Sequence, residues 1–232
     1  MLFRSNRVLD GLLAGLAPAL LYAFLEKLSC KGYTLRSWRE NLALTALFAF
    51  GTVYFYSAVQ GSVWFVAHIV GCALGAGYLL AALDCERPVL AGVLAGLMFH
   101  TRTSMLLTTI FFGLELLRVH RRADVDAAAY PDAGALARLA AWLKGTDLRA
   151  ALKPFARFAL PVLGFIALYM VLNQMRFDDW RDPGYRYLQV RWAERINRWG
   201  LFNYHYLSRN LAVILALLPW MTRAAPFVQI SN

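Results

Sequence analysis

From Leu42 to Leu83 the chain runs 42 residues without one Asp, Glu, Lys or Arg. That is about twice the ~20 residues a helix needs to cross a bilayer. In hydrocarbon every backbone N–H and C=O must be paired within the protein, and a helix pairs its own. A tight helical hairpin is the economical solution, and Gln60-Gly61 is its natural turn. Gly71, Ala73, Gly75, Ala76 and Gly77 in the second arm would let a neighbouring helix approach closely.

The rest of the chain agrees with that reading. Hydrophobic residues make up 59% of the 232, and the 16 glycines lift the apolar share to about two thirds, against about 45–50% in soluble domains. Charged residues are 16% and mean hydropathy is +0.47. A soluble domain, a disordered chain and a disulfide-rich secreted domain are excluded. The expected fold is all-α: a polytopic transmembrane bundle of about six crossings, with short broken helices and an interfacial helix. The net charge of +10 comes from 24 basic and 14 acidic residues. Most of it sits between hydrophobic runs, where it signals topology and contact with membrane lipid rather than nucleic acid. The three cysteines, Cys30, Cys72 and Cys85, match no zinc spacing.

The organisation follows from the runs. Residues 1–118 hold transmembrane helices, the first from Val8 to Leu28. Residues 119–154 are an Ala-rich, basic cytoplasmic loop, in which Leu136, Leu139 and Leu143 lie along one face of a short surface helix. Residues 155–175 supply the next crossing. Residues 176–232 form an outer-face segment in which seven arginines and nine aromatics lie between Arg176 and Asn210. There Leu188, Trp192, Ile196 and Trp199 share a helical face suited to the headgroup zone. Leu211–Trp220 is too short to cross and reads as interfacial or re-entrant. Placing the 119–154 loop in the cytoplasm leaves Arg4 and Arg7 outside, which implies a further helix upstream.

Polar residues inside apolar runs mark candidate sites. Val89 to Leu114 is interrupted by His100-Thr101-Arg102-Thr103-Ser104. Pieces of about 13 residues reach about 20 Å, short of the ~30 Å core, and broken helices meeting at a polar knot line a cavity. A charge there is functional by default. Arg102 with His100, Thr101, Thr103 and Ser104 suits a phosphate, held by charge-assisted hydrogen bonds; the alternative is an arginine snorkelling to the interface. His68 follows Trp64 by four residues, so both share a face, and with Gln60 they would line the outer end of that helix; the alternative is a packing histidine. Asp178, Asp179 and Asp182 end in Asp182-Pro183-Gly184, a solvated turn or a cation or acid/base cluster. No metal site and no cofactor is indicated, a divalent cation at those carboxylates being the one opening left.

Four stretches, taken in order, resemble the GT-C superfamily of membrane glycosyltransferases, which includes protein O-mannosyltransferases and the aminoarabinose and rhizobial sugar transferases of lipid A. They are LLYAFLEKL at 20–28, FGTVYFYSA at 50–58 with QGSVW at 60–64, LAGVLAGLMFHTR at 90–102, and NQMRF at 173–177 with PGY at 183–185. The third is similar to the family's "AGLLLGLAFLTR/K" run and the fourth to its "N-x-x-RFG-x-P…GY" outer loop. The resemblance implies that Arg102 faces the phosphate of a polyprenyl-phosphate sugar. It also implies that Asn173, Arg176 and Tyr185 join Gln60, Trp64 and His68 at an outer-face cavity where an acceptor is glycosylated. A bacterial inner membrane would be the setting. The family's catalytic Asp belongs to a loop before the helix matched by 20–28, and Gly61-Ser62-Val63-Trp64 stands where many relatives carry another Asp. No catalytic residue is therefore assigned, and the expectation is a fragment or degenerate copy inactive by itself. A non-catalytic multi-pass scaffold or lipid-binding protein is the alternative.

Overall fold

The computed structural model describes residues 7–60, 63–122, 134, 144–182, 184, 187, 193–200, 203–216, 220–221 and 228–229. The chain is an all-α helical bundle of the membrane type. It divides into two compact units, Met1–Tyr169 and Met170–Asn232.

The first unit opens with α1, Arg7–Cys30. Its last carbonyls are taken up by a turn in which Gly32 adopts φ +74° and Tyr33 N–H donates to Leu28 O. Helix α2, Trp38–Gly51, starts in a capping box: Glu40 N–H donates to Ser37 Oγ while Ser37 N–H donates to the Glu40 carboxylate. Thr52 then breaks the path. Its Oγ1 donates to Phe48 O and accepts from Tyr54 N–H, replacing the helical ladder for one residue. Helix α3, Val53–Gln60, leaves at 54° to α2. The sequence carries no sign of this bend; of the turn expected at Gln60-Gly61, Gln60 ends α3 and Gly61 lies outside the described residues. Helix α4, Val63–Ala82, follows and packs on α1 and α3.

Helix α5, Pro88–Thr101, stops at Arg102, whose backbone is extended. A 3₁₀ segment, Thr103–Thr108, leads into α6, Thr109–Val119. The break expected in the middle of Val89–Leu114 is thus present. The next helix, α7, runs Leu148–Phe177 and contains Pro154 and Pro161. It starts ahead of the crossing expected at 155–175, and the 119–154 loop is shorter by that much. Asp147 fixes the start: its Oδ1 accepts the N–H groups of Arg149 and Ala150, and the Ala150 bond above all holds the carboxyl below its ordinary range. Leu136, Leu139 and Leu143 lie outside the described residues.

Among the described residues three helices are long and apolar enough to cross a membrane, Gly11–Cys30, Phe65–Cys85 and Leu148–Phe177, and the bent α2–α3 pair raises the number to four. About six were expected. The difference lies in α5 and α6, of 14 and 11 residues, which span roughly 21 and 17 Å at 1.5 Å per residue.

Small residues set the packing. One core joins Tyr78, Ala81 and Ala82 of α4, Ala91, Ala95 and Met98 of α5, Phe112 and Leu116 of α6, and Ala151, Phe158 and Val162 of α7. A Cβ on Gly92 would lie 2.2 Å from Phe158 O, and one on Gly96 2.2 Å from the Phe165 ring. Only glycine permits the α5–α7 approach at those two positions. A second core joins Ala17, Tyr54, Ile69 and Ala73, with Tyr54 Oη donating to Ala14 O.

In the second unit α7 ends at Asp178 in the left-handed region, φ +53°. Asp179 and Asp182 close turns by accepting Arg181 and Gly184 N–H groups. Helix α8, Ala193–Trp199, half-buries Ile196 and Trp199 and exposes Glu194 and Arg198, as the face pattern predicts; Leu188 and Trp192 lie outside the described residues. Helix α9, Leu207–Ala216, has ten residues, about 15 Å, too short to cross. A two-residue antiparallel ladder pairs β1, Trp220–Met221, with β2, Val228–Gln229.

Candidate functional site

Arg102 owes its position to the end of α5. Its N–H closes the last helical turn on Met98 O, and its own φ −152°, ψ 124° then swings the chain off the helix axis. The exposed guanidinium reaches back to α4, where Nη2 lies 2.8 Å from His68 Nε2. A guanidinium only donates, so His68 accepts with Nε2 and carries its proton on Nδ1. The two residues are 34 positions apart and come together because α4 and α5 are antiparallel neighbours. On α4 the imidazole is backed by Phe65, centroids 6.5 Å apart, and Phe65 meets Tyr56 of α3 edge-on at 5.6 Å.

One helical turn beyond His68, an apolar groove of about 530 Å³ begins at Gly71 and Cys72. It is walled by Gly75, Tyr78 and Leu79 of α4, Met98 of α5, and Met105 to Leu114 of the 3₁₀ segment and α6. The Met105 sulfur lies 3.0 Å from where a Gly71 Cβ would stand, so glycine keeps the groove's mouth open. A cation beside an apolar groove suits an amphipathic anion with a long tail.

Of the other members of the polar knot, Thr101 lies against α4, its Cγ2 3.8 Å from where a Gly71 Cβ would stand, whereas His100 faces the other way. His100 lies in the α5–α7 contact: its Nε2 donates to Phe165 O at 2.9 Å, and its ring packs against Phe99, Phe165 and Tyr169. Thr101 donates to Leu97 O within its own helix. Thr103 is half-buried at the start of the 3₁₀ segment, and Ser104 is exposed. Arg102 thus meets His68, a residue singled out separately, rather than its neighbours in sequence. Gln60 is exposed at the end of α3. Trp64 lies on α4 with its side chain outside the described residues, as is the whole of Tyr185. Asn173 and Arg176 belong to the second unit. Arg176 is exposed, whereas Asn173 is 5% exposed and its Nδ2 has no partner among the described residues.

A second polar centre forms at the opposite end of α5, where α1, the 83–87 corner and α6 meet. Lys27 donates to Glu86 at 2.6 Å and to Leu80 O at 2.9 Å. Lys31 donates to Asp84 and Glu86. Arg118 donates to Asp84, to Glu115 at 2.7 Å and to Tyr33 Oη at 3.0 Å. Tyr33 in turn donates to Asp84 at 2.6 Å. The corner itself is unusual, because Asp84 and Cys85 both take left-handed φ, +57° and +54°. Asp84 N–H meets the buried Glu115 carboxylate at 2.8 Å. Three cations balance three carboxylates. The Lys27 and Lys31 ammoniums hold the Glu86 carboxyl below its usual range; bonds to Asp84 and Glu86 raise Lys31, and the bond to Glu115 foremost raises Arg118. The centre satisfies itself and reads as a clasp rather than a reactive site. Nothing in the spacing of Lys27, Lys31 and Arg118 along the sequence points to these carboxylate partners.

Among the described residues no group of three or more His, Cys, Asp or Glu side chains is arranged to hold a metal ion. Asp178, Asp179 and Asp182 form the turns described above. No protein-family model, curated protein or solved structure matches the chain.

Proposed function

We propose that the chain is a lipid-phosphate-handling part of a membrane glycosyltransferase. It would bind a polyprenyl-phosphate sugar for transfer to an acceptor at the outer face of a bacterial inner membrane. The observation that carries this reading is the Arg102–His68 pair. A permanent cation stands at a break in a membrane helix, anchored by a neutral imidazole, with an apolar groove one helical turn away. An anchored guanidinium loses little freedom on binding and offers its remaining N–H groups to phosphate oxygens. The groove offers the polyprenyl tail a surface continuous with bilayer hydrocarbon. The motif resemblance at 90–102 assigns Arg102 the same partner and supports the reading independently of the geometry.

The test is binding of a polyprenyl monophosphate to the full chain in nanodiscs. Hydrogen bonds to charged groups are worth about 1.5–3 kcal/mol, so Arg102→Ala should weaken binding at least about tenfold, and Arg102→Lys less. Unchanged affinity in Arg102→Ala would remove Arg102 from the phosphate site.

A further inference from the structure

A second groove, of about 450 Å³, lies between α1, α4 and α5 at the end of α5 remote from Arg102. Leu20, Gly77, Leu80, Leu90 and Leu94 form its apolar walls, and Lys27, Glu86 and Arg87 stand at its mouth. Lys27 and Glu86 are committed to each other and to the clasp. Arg87 is not: exposed at the N-cap of α5, its guanidinium has no partner among the described residues. The lining charges are therefore two cations and one carboxylate, a net +1 whose free member is Arg87. From Arg87 to Leu94 the wall rises about 10 Å at 1.5 Å per residue, a third of the ~30 Å hydrocarbon core. Gly77 keeps this depth open: a Cβ there would meet Leu94 at 3.6 Å and Leu20 at 3.8 Å, ordinary contact for a methyl but not for a longer side chain.

We infer that this groove seats one anionic glycerophospholipid of the adjoining leaflet, its headgroup phosphate on Arg87 and the upper part of an acyl chain against Gly77, Leu90 and Leu94. Charge complementarity selects the occupant. A basic residue near an anionic surface is worth about 1 kcal/mol, and the groove fixes that attraction to one place. The site stands at the opposite end of α5 from the Arg102 pair and does not rest on the glycosyltransferase reading.

Native mass spectrometry of the full chain, released from mixed phosphatidylglycerol–phosphatidylcholine micelles, tests it. The expected result is a retained phosphatidylglycerol on the wild type. Its preference over phosphatidylcholine should fall about fivefold in Arg87→Ala, a loss equivalent to about 1 kcal/mol, and survive in Arg87→Lys. Gly77→Leu should reduce retention of both lipids and Gly77→Ala should not. Arg102→Ala should leave phosphatidylglycerol retention unchanged, and Arg87→Ala should leave polyprenyl monophosphate binding unchanged. The proposal is overturned if the wild type shows no preference, or if Arg87→Ala retains phosphatidylglycerol as the wild type does. Equal loss in Arg102→Ala, or Arg87-dependent displacement by polyprenyl monophosphate, overturns it too. The Arg87 pair decides the matter even where Gly77→Leu fails to fold.

Discussion

Arg102, at the C-terminal end of α5, donates to His68 of α4 across 2.8 Å at the break in the apolar run. Because the guanidinium cannot accept, His68 is a positioning residue that restricts where Arg102 can point. His68→Ala should weaken polyprenyl monophosphate binding several-fold without replacing any phosphate contact. His68→Gln, whose amide oxygen accepts, should restore part of the loss. Since His68 is exposed, the melting temperature should stay within the small range of surface substitutions. Equal affinity in wild type and His68→Ala, measured by titration in nanodiscs, would separate His68 from the site.

Arg118 is the residue on which the clasp converges. Removing it leaves the buried Glu115 carboxylate beside Asp84 without its nearest cation. Breaking a fully buried pair costs about 3–5 kcal/mol. Arg118 is 37% exposed, so water recovers part, and roughly 2 kcal/mol is the expectation for Arg118→Ala. Thermal unfolding in detergent should show a clear drop, and adding Glu115→Gln should recover some of it, the signature of coupled partners. Additive losses in the double variant would mean that the two residues do not act together.

The clasp also fixes a pH window. The Glu86 carboxyl titrates below its ordinary 4.5 because Lys27 and Lys31 bond its charged form. A depressed carboxylate stabilises the fold above its unfolded value and loses that contribution as pH falls through the folded one. Lys31 works in the other direction: raised above its ordinary 10.5, it stabilises below that value and loses the contribution as pH climbs past it. Melting temperature should be level between about pH 5 and 10 and fall below about pH 4.5. Glu86→Gln should start lower and show a shallower acid limb; an acid limb as steep as the wild type's would take Glu86 out of the linkage.

The sequence discloses what composition and spacing encode. Arg102, set among Thr and Ser between two short apolar pieces, announces a helix break, and the break is there. The bend at Thr52 stays hidden, since it depends on one hydroxyl bonding Phe48 O and Tyr54 N–H inside an otherwise uninterrupted apolar run. The early start of α7 is hidden for another reason. Lys153 and Pro154 read as the end of a loop, yet Asp147 caps a helix that carries them. The clasp is least legible of all. Lys27 and Glu86 are 59 positions apart and Tyr33 and Arg118 are 85 apart, so only the packing of α1, α4 and α6 brings them together. His100 shows the converse: adjacent to Arg102 but for one residue, it turns to the α7 side because a helix carries residues two apart to different faces.

The stripe of small residues makes the sharpest stability contrast. At Gly92 an added methyl would stand 2.2 Å from the Phe158 carbonyl oxygen, a backbone atom that can move only if α7 moves. At Gly75 the nearest atom is the tip of Met98 at 3.9 Å, ordinary contact with a flexible side chain. Gly92→Ala should therefore force α5 and α7 apart at a cost of about 1–3 kcal/mol, the usual penalty of overpacking. Gly75→Ala should be neutral or slightly stabilising, since alanine has the better helix propensity. Gly96→Ala should behave like Gly92→Ala but more mildly, because it meets a side chain rather than backbone: the Phe165 ring at 2.2 Å can turn, and only the Phe165 Cβ at 2.8 Å is fixed by the position of α7. Melting temperatures of the three variants, purified in the same detergent, should rank Gly75→Ala highest and Gly92→Ala lowest. If Gly92→Ala matched the wild type, the close α5–α7 crossing that also seats His100 on Phe165 would be wrong.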